Sequence, residues 1–153
     1  MPSVAPRDAP VTHLYGEHHY QMDPKGRISL PVRFRESLEG GLTITLGLGG
    51  CLAAFPQDEW VREADRVDRL TREAAGDPRY ARVLFNNAEQ VGLDSQGRLV
   101  VPARLRAKAG LHRDVTVSGT GRHLEIWDSE TFRRRAQADE AAFAAGTLKP
   151  QAS

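Results

Sequence analysis

Aspartate, lysine and arginine at fixed spacing carry the chemistry of this chain. Asp23-Pro24-Lys25-Gly26-Arg27 places a carboxylate, an ammonium and a guanidinium within one short segment, and Pro31-Val32-Arg33-Phe34-Arg35 follows. The pattern returns 71 positions later, without a gap, as Asp94-Ser95-Gln96-Gly97-Arg98 and Pro102-Ala103-Arg104-Leu105-Arg106. A guanidinium pairs bidentately with guanine O6 and N7 in the major groove, and such a pair discriminates between bases by roughly 1–3 kcal/mol. Arginines elsewhere on the same surface grip phosphates, which position a protein without specifying sequence. Lys25 and Arg27 are therefore candidate base or groove contacts. Arg33, Arg35, Arg98, Arg104 and Arg106 are candidate phosphate contacts or supports of turn geometry, with double-stranded DNA as the partner. A structural alternative stays open. Asp23 with Arg27, and Asp94 with Arg98, can pair across their turns and merely hold the shape; the other arginines can be a solvated face.

Other constellations offer less. His18 and His19 are adjacent, so on a strand they face opposite sides and cannot easily share a metal. His13, His112 and His123 lack ligand spacing, and the single cysteine, Cys51, gives no Cys-x-x-Cys pair. Cys51 has no nucleophile signature around it and reads as a small buried residue. No Walker loop, dinucleotide fingerprint or Gly-x-Ser-x-Gly elbow is present; Gly47 to Gly50 reads as a turn. The expectation is no enzyme, no metal, no cofactor and no small-molecule substrate.

Bulk properties narrow the class. The 153 residues suit one compact unit or two small repeated halves, and a half of about 70 residues buries little core alone. The net charge is only +1, yet it is unevenly spread. Residues 23–35 sum to +3 and residues 94–113 to +4, whereas residues 57–75 sum to −2. Positive charge thus collects in the repeated segments, which lets a near-neutral protein present a basic face to phosphates. No apolar run approaches the length of a membrane span, and Met1 to Pro10 lacks the apolar core of a signal peptide. A lone cysteine fits a reducing cytoplasm.

The elements that must position these residues follow from local signals. Asp, Pro and Gly at the first, second and fourth positions make Asp23–Gly26 a turn, with Asp94–Gly97 its copy; Asp23, Gly26, Asp94 and Gly97 are the turn-fixing residues. A strand is expected over Glu17 to Met22. After the turn, Ile28, Leu30 and Val32 alternate with polar residues, and Leu99, Val101 and Ala103 repeat that phase, as the inward side of a strand. Pro31 and Pro102 can open a short helix whose inner residues are Phe34 and Leu38, or Leu105 and Ala109. Strands follow at Leu42 to Leu46 and Ala53 to Phe55, and at Val115 to Ser118 and Leu124 to Ile126. Asp58 is expected to cap a helix striped by Trp60, Ala64, Val67 and Leu70. Gly76-Asp77-Pro78 breaks it before a short helix over Arg79 to Asn86. Asp128-Ser129 is expected to cap a last helix carrying Phe132, Ala136 and Phe143 on one side.

With both copies of Asp-x-x-x-Arg and the trailing Pro-x-Arg-x-Arg in view, the chain resembles the MraZ family. Those are bacterial regulators built from two tandem SpoVT/AbrB-type domains. Leu14-Tyr-Gly-Glu17, the stretch from Cys51 to Trp60, and His123-Leu-Glu-Ile-Trp127 carry the likeness further, from about Leu14 to about Phe143. The resemblance implies an α+β fold: a pseudo-duplicated swapped-hairpin β-barrel of SpoVT/AbrB type with flanking helices. It implies a cytoplasmic, nucleoid-associated transcriptional regulator that forms a ring-like homo-oligomer. Its targets would be short direct DNA repeats upstream of the division and cell-wall gene cluster. The expected organisation is a flexible arm (1–12), a first domain (13–61), a helical connector (62–83), a second domain (84–127), a C-terminal helix (128–145) and a disordered tail (146–153). Gln96 stands where the first copy has Lys25, which implies unequal DNA contacts. A rival reading is a ring-forming scaffold that binds a protein partner through its acidic helices.

Overall fold

Apolar alternation and glycine-bearing turns produce eight strands and five helices among residues 13–150, the part of the chain that the computed structural model describes. The expected arm at 1–12 and the end of the expected tail at 151–153 lie outside the described residues. The first half contains β1 (Leu14–Gln21), β2 (Arg27–Ser29), α1 (Val32–Ser37), β3 (Leu42–Leu46), β4 (Leu52–Pro56) and α2 (Gln57–Arg72). After α3 (Pro78–Asn86) the second half repeats the series: β5 (Glu89–Val91), β6 (Arg98–Val100), α4 (Ala103–Lys108), β7 (Asp114–Gly121), β8 (Leu124–Asp128) and α5 (Ser129–Ala144). Thr147 to Pro150 carry no regular secondary structure.

The halves exchange strands. A six-stranded antiparallel sheet runs β1-β7-β8-β4-β3-β5, and β2 pairs with β6 as a separate ribbon. Thus β1 of the first half lies on β7 of the second, and β5 of the second lies on β3 of the first. β4 and β8 meet in the middle, with Leu52 opposite Ile126 and Ala54 opposite Leu124. In the ribbon Ile28 lies opposite Leu99, flanked by Arg27 opposite Val100 and Ser29 opposite Arg98. These pairs map onto one another under the 71-residue repeat, so a pseudo-twofold axis passes between Ile28 and Leu99. The pseudo-duplicated, strand-swapped α+β fold is the one that the resemblance implied.

One core serves both halves. Ile28, Leu30, Phe34 and Leu38 share a buried cluster with Leu99, Val101, Leu105 and Leu111, and with Ile44, Leu52, Val115 and Ile126 of the sheet. This is how two units too small to stand alone bury enough apolar surface.

Local signals failed at two points, each for a physical reason. Val32, expected inward, is 62 % exposed, and Ala103, its repeat partner, is also exposed. Pro31 and Pro102 adopt extended dihedrals at the N-cap, which ends the strand phase and starts a helix on which Phe34 and Leu105 turn inward. Asp58 is not the cap of α2: that helix begins at Gln57, straight out of β4, with Pro56 at the N-cap and no side-chain cap bond. By contrast Asp77 and Asp128 accept the backbone N–H groups of Arg79 and Thr131 as caps of α3 and α5. Phe132, Ala136 and Phe143 share one side of α5, and Phe143 at its far end is 76 % exposed.

Ile28→Ala should therefore destabilise the fold by about 2–5 kcal/mol, because it opens a cavity at the pseudo-axis. Val32→Ala should change stability by less than about 0.5 kcal/mol. Urea unfolding of the two variants checks both values.

Candidate nucleic-acid interface

Each repeated turn is built around one carboxylate. The Asp23 carbonyl accepts the Gly26 N–H at 2.9 Å, which closes the turn. Asp23 Oδ1 accepts the N–H groups of Lys25 at 3.0 Å and Arg27 at 2.9 Å, and Oδ2 accepts Arg27 Nε. The second turn repeats this bond for bond. Asp94 Oδ1 accepts the N–H of Gln96 at 2.9 Å and of Arg98 at 2.8 Å, and Oδ2 accepts Arg98 Nε at 2.8 Å. The backbone N–H of Arg27, accepted first among these donors, holds the Asp23 carboxyl below the usual carboxylate range, and the N–H of Arg98 does the same for Asp94.

The arginines are pinned but not used up. Arg27 and Arg98 each spend Nε on their aspartate; among the described residues neither pair of terminal Nη nitrogens has a partner. The carboxylate thus fixes the side chain and leaves both Nη groups without a protein partner, on side chains that are 33 % exposed in Arg27 and 27 % in Arg98. Those two groups are the ones a bidentate acceptor needs. Residues alternate across a strand, so with Ile28 and Leu99 buried, Arg27, Ser29, Arg98 and Val100 occupy the outward face of the ribbon. Arg27 and Arg98 are diagonal neighbours there, at a backbone spacing of about 7–8 Å. The two turns sit at opposite ends of this antiparallel ribbon.

The tip glycines explain where the other half's arginines lie. Gly26 has φ +83° and Gly97 φ +76°, conformations that disfavour any other residue. A Cβ on Gly26 would fall 2.9 Å from Arg106 Cζ and 2.6 Å from the Val101 carbonyl; one on Gly97 would fall 2.8 Å from Arg35 Cδ. Each tip is therefore clasped by an arginine from the opposite half. Arg106 also donates to the Pro24 carbonyl at 3.4 Å, and Arg35 Nε donates to the Leu30 carbonyl at 2.8 Å.

The sequence-derived candidates thus separate into groups. Lys25, Arg27 and Arg106 gather at the first tip, Arg98 and Arg35 at the second. The Lys25 ammonium is exposed and has no partner among the described residues. Arg33 and Arg104 belong elsewhere. Arg33 donates to the Tyr15 carbonyl at 3.0 Å and lies 5.3 Å from the Phe34 ring centroid. Arg104 donates to Asn87 Oδ1 at 3.0 Å and to Glu89 at 3.3 Å. The crossing of Arg35 and Arg106 to the opposite tips escaped sequence reasoning. Its one available signal was the repeat, combined with the swap that the resemblance implied.

The discounted groups stay apart. Among the described residues no three His, Cys, Asp or Glu side chains are placed to hold a metal. Cys51 is buried, and that burial pushes its thiol up to about 12, so it carries no thiolate near neutral pH.

The profile of one protein family, described as "MraZ protein, putative antitoxin-like", matches residues 14–79 and again 84–149. The chain belongs to the MraZ family. Its relatives include proteins named Transcriptional regulator MraZ. That of Frankia alni is 43 % identical over 131 residues, which cover 84 % of this chain and 90 % of the relative. That of Deinococcus radiodurans is 39 % identical over 136 residues, covering 89 % and 91 %; that of Heliobacterium modesticaldum is 40 % identical over 119, covering 78 % and 83 %. The two matched segments each hold one Asp-x-x-x-Arg turn, so MraZ membership and the geometry divide the chain alike.

The lowered carboxyls have a pH consequence. An unfolded aspartate titrates near 3.9. Below that value and down to the folded value, the unfolded state binds more protons than the folded one. The stability held by Asp23 and Asp94 is therefore full above about pH 4 and is lost as pH falls through their folded values. The wild-type melting temperature should drop more steeply between pH 5 and pH 3 than that of the Asp23→Asn, Asp94→Asn double variant. Thermal melts followed by circular dichroism across that window check the difference in slope.

Proposed function

We propose that the chain is a sequence-specific, double-stranded-DNA-binding transcriptional regulator that reads base edges from the outward face of the β2–β6 ribbon. The observation that carries this reading is that two arginines on the outward face of one ribbon, each fixed by an aspartate through Nε, keep their Nη groups unpaired among the described residues. The names of the relatives supply the regulatory role. Arginine carries about 2 kcal/mol of rotamer entropy, and the bond from Nε to Asp23 removes part of it before any DNA arrives. Lys25 extends the first tip toward the phosphates or the groove. Arg35 and Arg106 brace the tips and add positive charge beside them, while Arg33 and Arg104 give the flanks their phosphate contacts. Gln96 leaves the second tip one cation poorer, so the first tip makes the stronger contact.

The finer assignment follows the family. Its targets are short direct repeats upstream of the division and cell-wall gene cluster, and the working form is a ring-like homo-oligomer in the cytoplasm, associated with the nucleoid. One protomer offers few cations, so its own binding is weak and salt-sensitive. A ring that presents several equivalent ribbons to spaced repeats gains by effective concentration, roughly 10²–10⁴-fold. Among the described residues no helix is long and apolar enough to cross a membrane. The domain limits at 13–61 and 84–127, with a helical connector and a C-terminal helix, belong to the same reading.

The scaffold reading rests on acidic helices, and α2 weakens it. Glu59, Glu63, Asp65 and Asp68 pair with Arg62, Arg66, Arg69 and Arg72 along the helix, so little uncompensated negative charge faces out.

Arg27→Ala should weaken binding to the DNA just upstream of its own gene at least tenfold. Oligomer mass should not change, because the only side-chain bond of Arg27 among the described residues lies within its own turn. Gel shifts at two salt concentrations, paired with light scattering, read both. A folded Arg27→Ala protein that still binds its operator with wild-type affinity defeats the assignment.

A further inference from the structure

The geometry points to a specific head-to-tail contact: the C-terminal half of α5 of one copy inserts into a groove between α2, α3 and the β3–β4 and β7–β8 turns of a second copy. This rests on the proposed self-association and names the surfaces that would make it.

The helix comes first. α5 docks through its first two turns, on Trp127 of its own half and, through Arg135, beside Gly49 of the first half. Phe132 meets the Trp127 ring edge-on at 6.0 Å, and the Arg135 guanidinium lies 5.6 Å from the same ring. Beyond Ala136 every residue to Ala144 is exposed except Ala142. That half extends about 12 Å at the usual rise per residue. Isolated helices of such length are marginal in water, and here no intramolecular packing supports it. It nevertheless carries Phe143, with Asp139 and Glu140 one turn before it on the same face. Neither carboxylate has an ion-pair partner among the described residues, unlike Glu130 earlier in the helix, which pairs with Arg133 and Arg134. An aromatic flanked by two uncompensated carboxylates is the resulting surface.

The groove has the complementary character. Its volume is about 990 Å³, with Leu46, Phe55 and Leu84 below and Leu48, Tyr80 and Val83 at the mouth. Leu48 is 73 % exposed, and Tyr80 and Val83 are also open to solvent. Apolar exposure of this kind, gathered on one concave surface, marks an interaction site. The charges are sorted by depth. Glu59 is 6 % exposed at the base, whereas Arg62 and Arg122, which both bond it, are 63 % and 59 % exposed. Arg66 and Arg79 likewise stand outside Glu63 and Asp77. The rim therefore presents guanidinium groups around an apolar floor. Phe143 fits the floor, and Asp139 with Glu140 meet the rim.

The pseudo-repeat shows why the two surfaces belong to different places. α2 and α5 occupy equivalent positions and have 16 residues each. After α2 the chain turns back as α3, whose Phe85 covers Trp60 at 6.1 Å and whose Leu84 carbonyl accepts the Thr45 hydroxyl. After α5 no such helix follows among the described residues. Among the described residues only α2 is thus flanked by a following helix, and the groove forms beside it. Two different surfaces meeting in this way make a heterologous contact, which closes into a ring when the rotation allows.

Two substitutions at exposed positions separate the surfaces: Phe143→Glu disables the helix, and Tyr80→Glu with Val83→Glu disables the groove. Sedimentation velocity and light scattering on the full chain read the mass, and far-UV circular dichroism checks folding. Wild type should assemble, and each variant alone should fall to at most half the wild-type mass. A mixture of the two should form a dimer, because one intact helix still meets one intact groove. Variants that keep wild-type mass overturn this contact and leave the ring standing. A mixture that stays monomeric when both variants have lost assembly overturns the pairing of these two surfaces. A wild-type chain that is monomeric up to tens of micromolar overturns this contact and the ring together.

Discussion

Ile28 against Leu99 is the contact on which the molecule turns. Both side chains are fully buried, and they come from strands of only three residues. A strand of that length, paired with one partner, has no independent stability in water. The ribbon exists because each half brings one strand to it and because the shared core lies beneath. Everything on its outer face follows: the direction in which Arg27 and Arg98 point, their diagonal spacing, and the placing of one turn at each end. The swapped pairs of β1 with β7 and β3 with β5 tie the same two halves a second time. A slip of β2 by one residue would bury Arg27 and expose Ile28, and the cost of burying that guanidinium makes the register untenable.

Charge is handled differently in the two parts of the molecule. Along α2, acids and arginines neutralise one another at helical spacing. Such exposed pairs contribute little to stability. At the tips one aspartate is bound by two backbone N–H groups and one Nε, so its charge is spent on the turn. The guanidinium is oriented by it and still has donors left over. A turn-holding role and a ligand-binding role for Arg27 are therefore compatible, because they use different edges of one planar group. This is also how a chain of net charge +1 can offer DNA a basic surface.

Much of the fold was legible because repeat, turn and periodicity agree. The Asp-x-x-Gly turns, the glycine stops and the strands at Leu42–Leu46 and near Ala53–Phe55 stand where local chemistry puts them. Errors fell where a backbone transition interrupts a pattern. Val32 and Ala103 continue the alternation in sequence, but the proline before each has already changed the period from two residues to 3.6. Phe143 keeps helical phase with Ala136, yet it is exposed, because phase fixes the side of a helix and not what lies against it.

The amino-acid sequence by itself determined the two turns, the residue types at their tips and the duplication, since these depend on neighbours within a few positions. The tertiary structure alone decided which arginine meets which turn. Arg106 braces Gly26 and Arg35 braces Gly97 across separations of 80 and 62 residues, and nothing local encodes so distant a meeting. It arises because a shared core forces the two halves to interleave, and interleaving carries each short helix to the other half's tip.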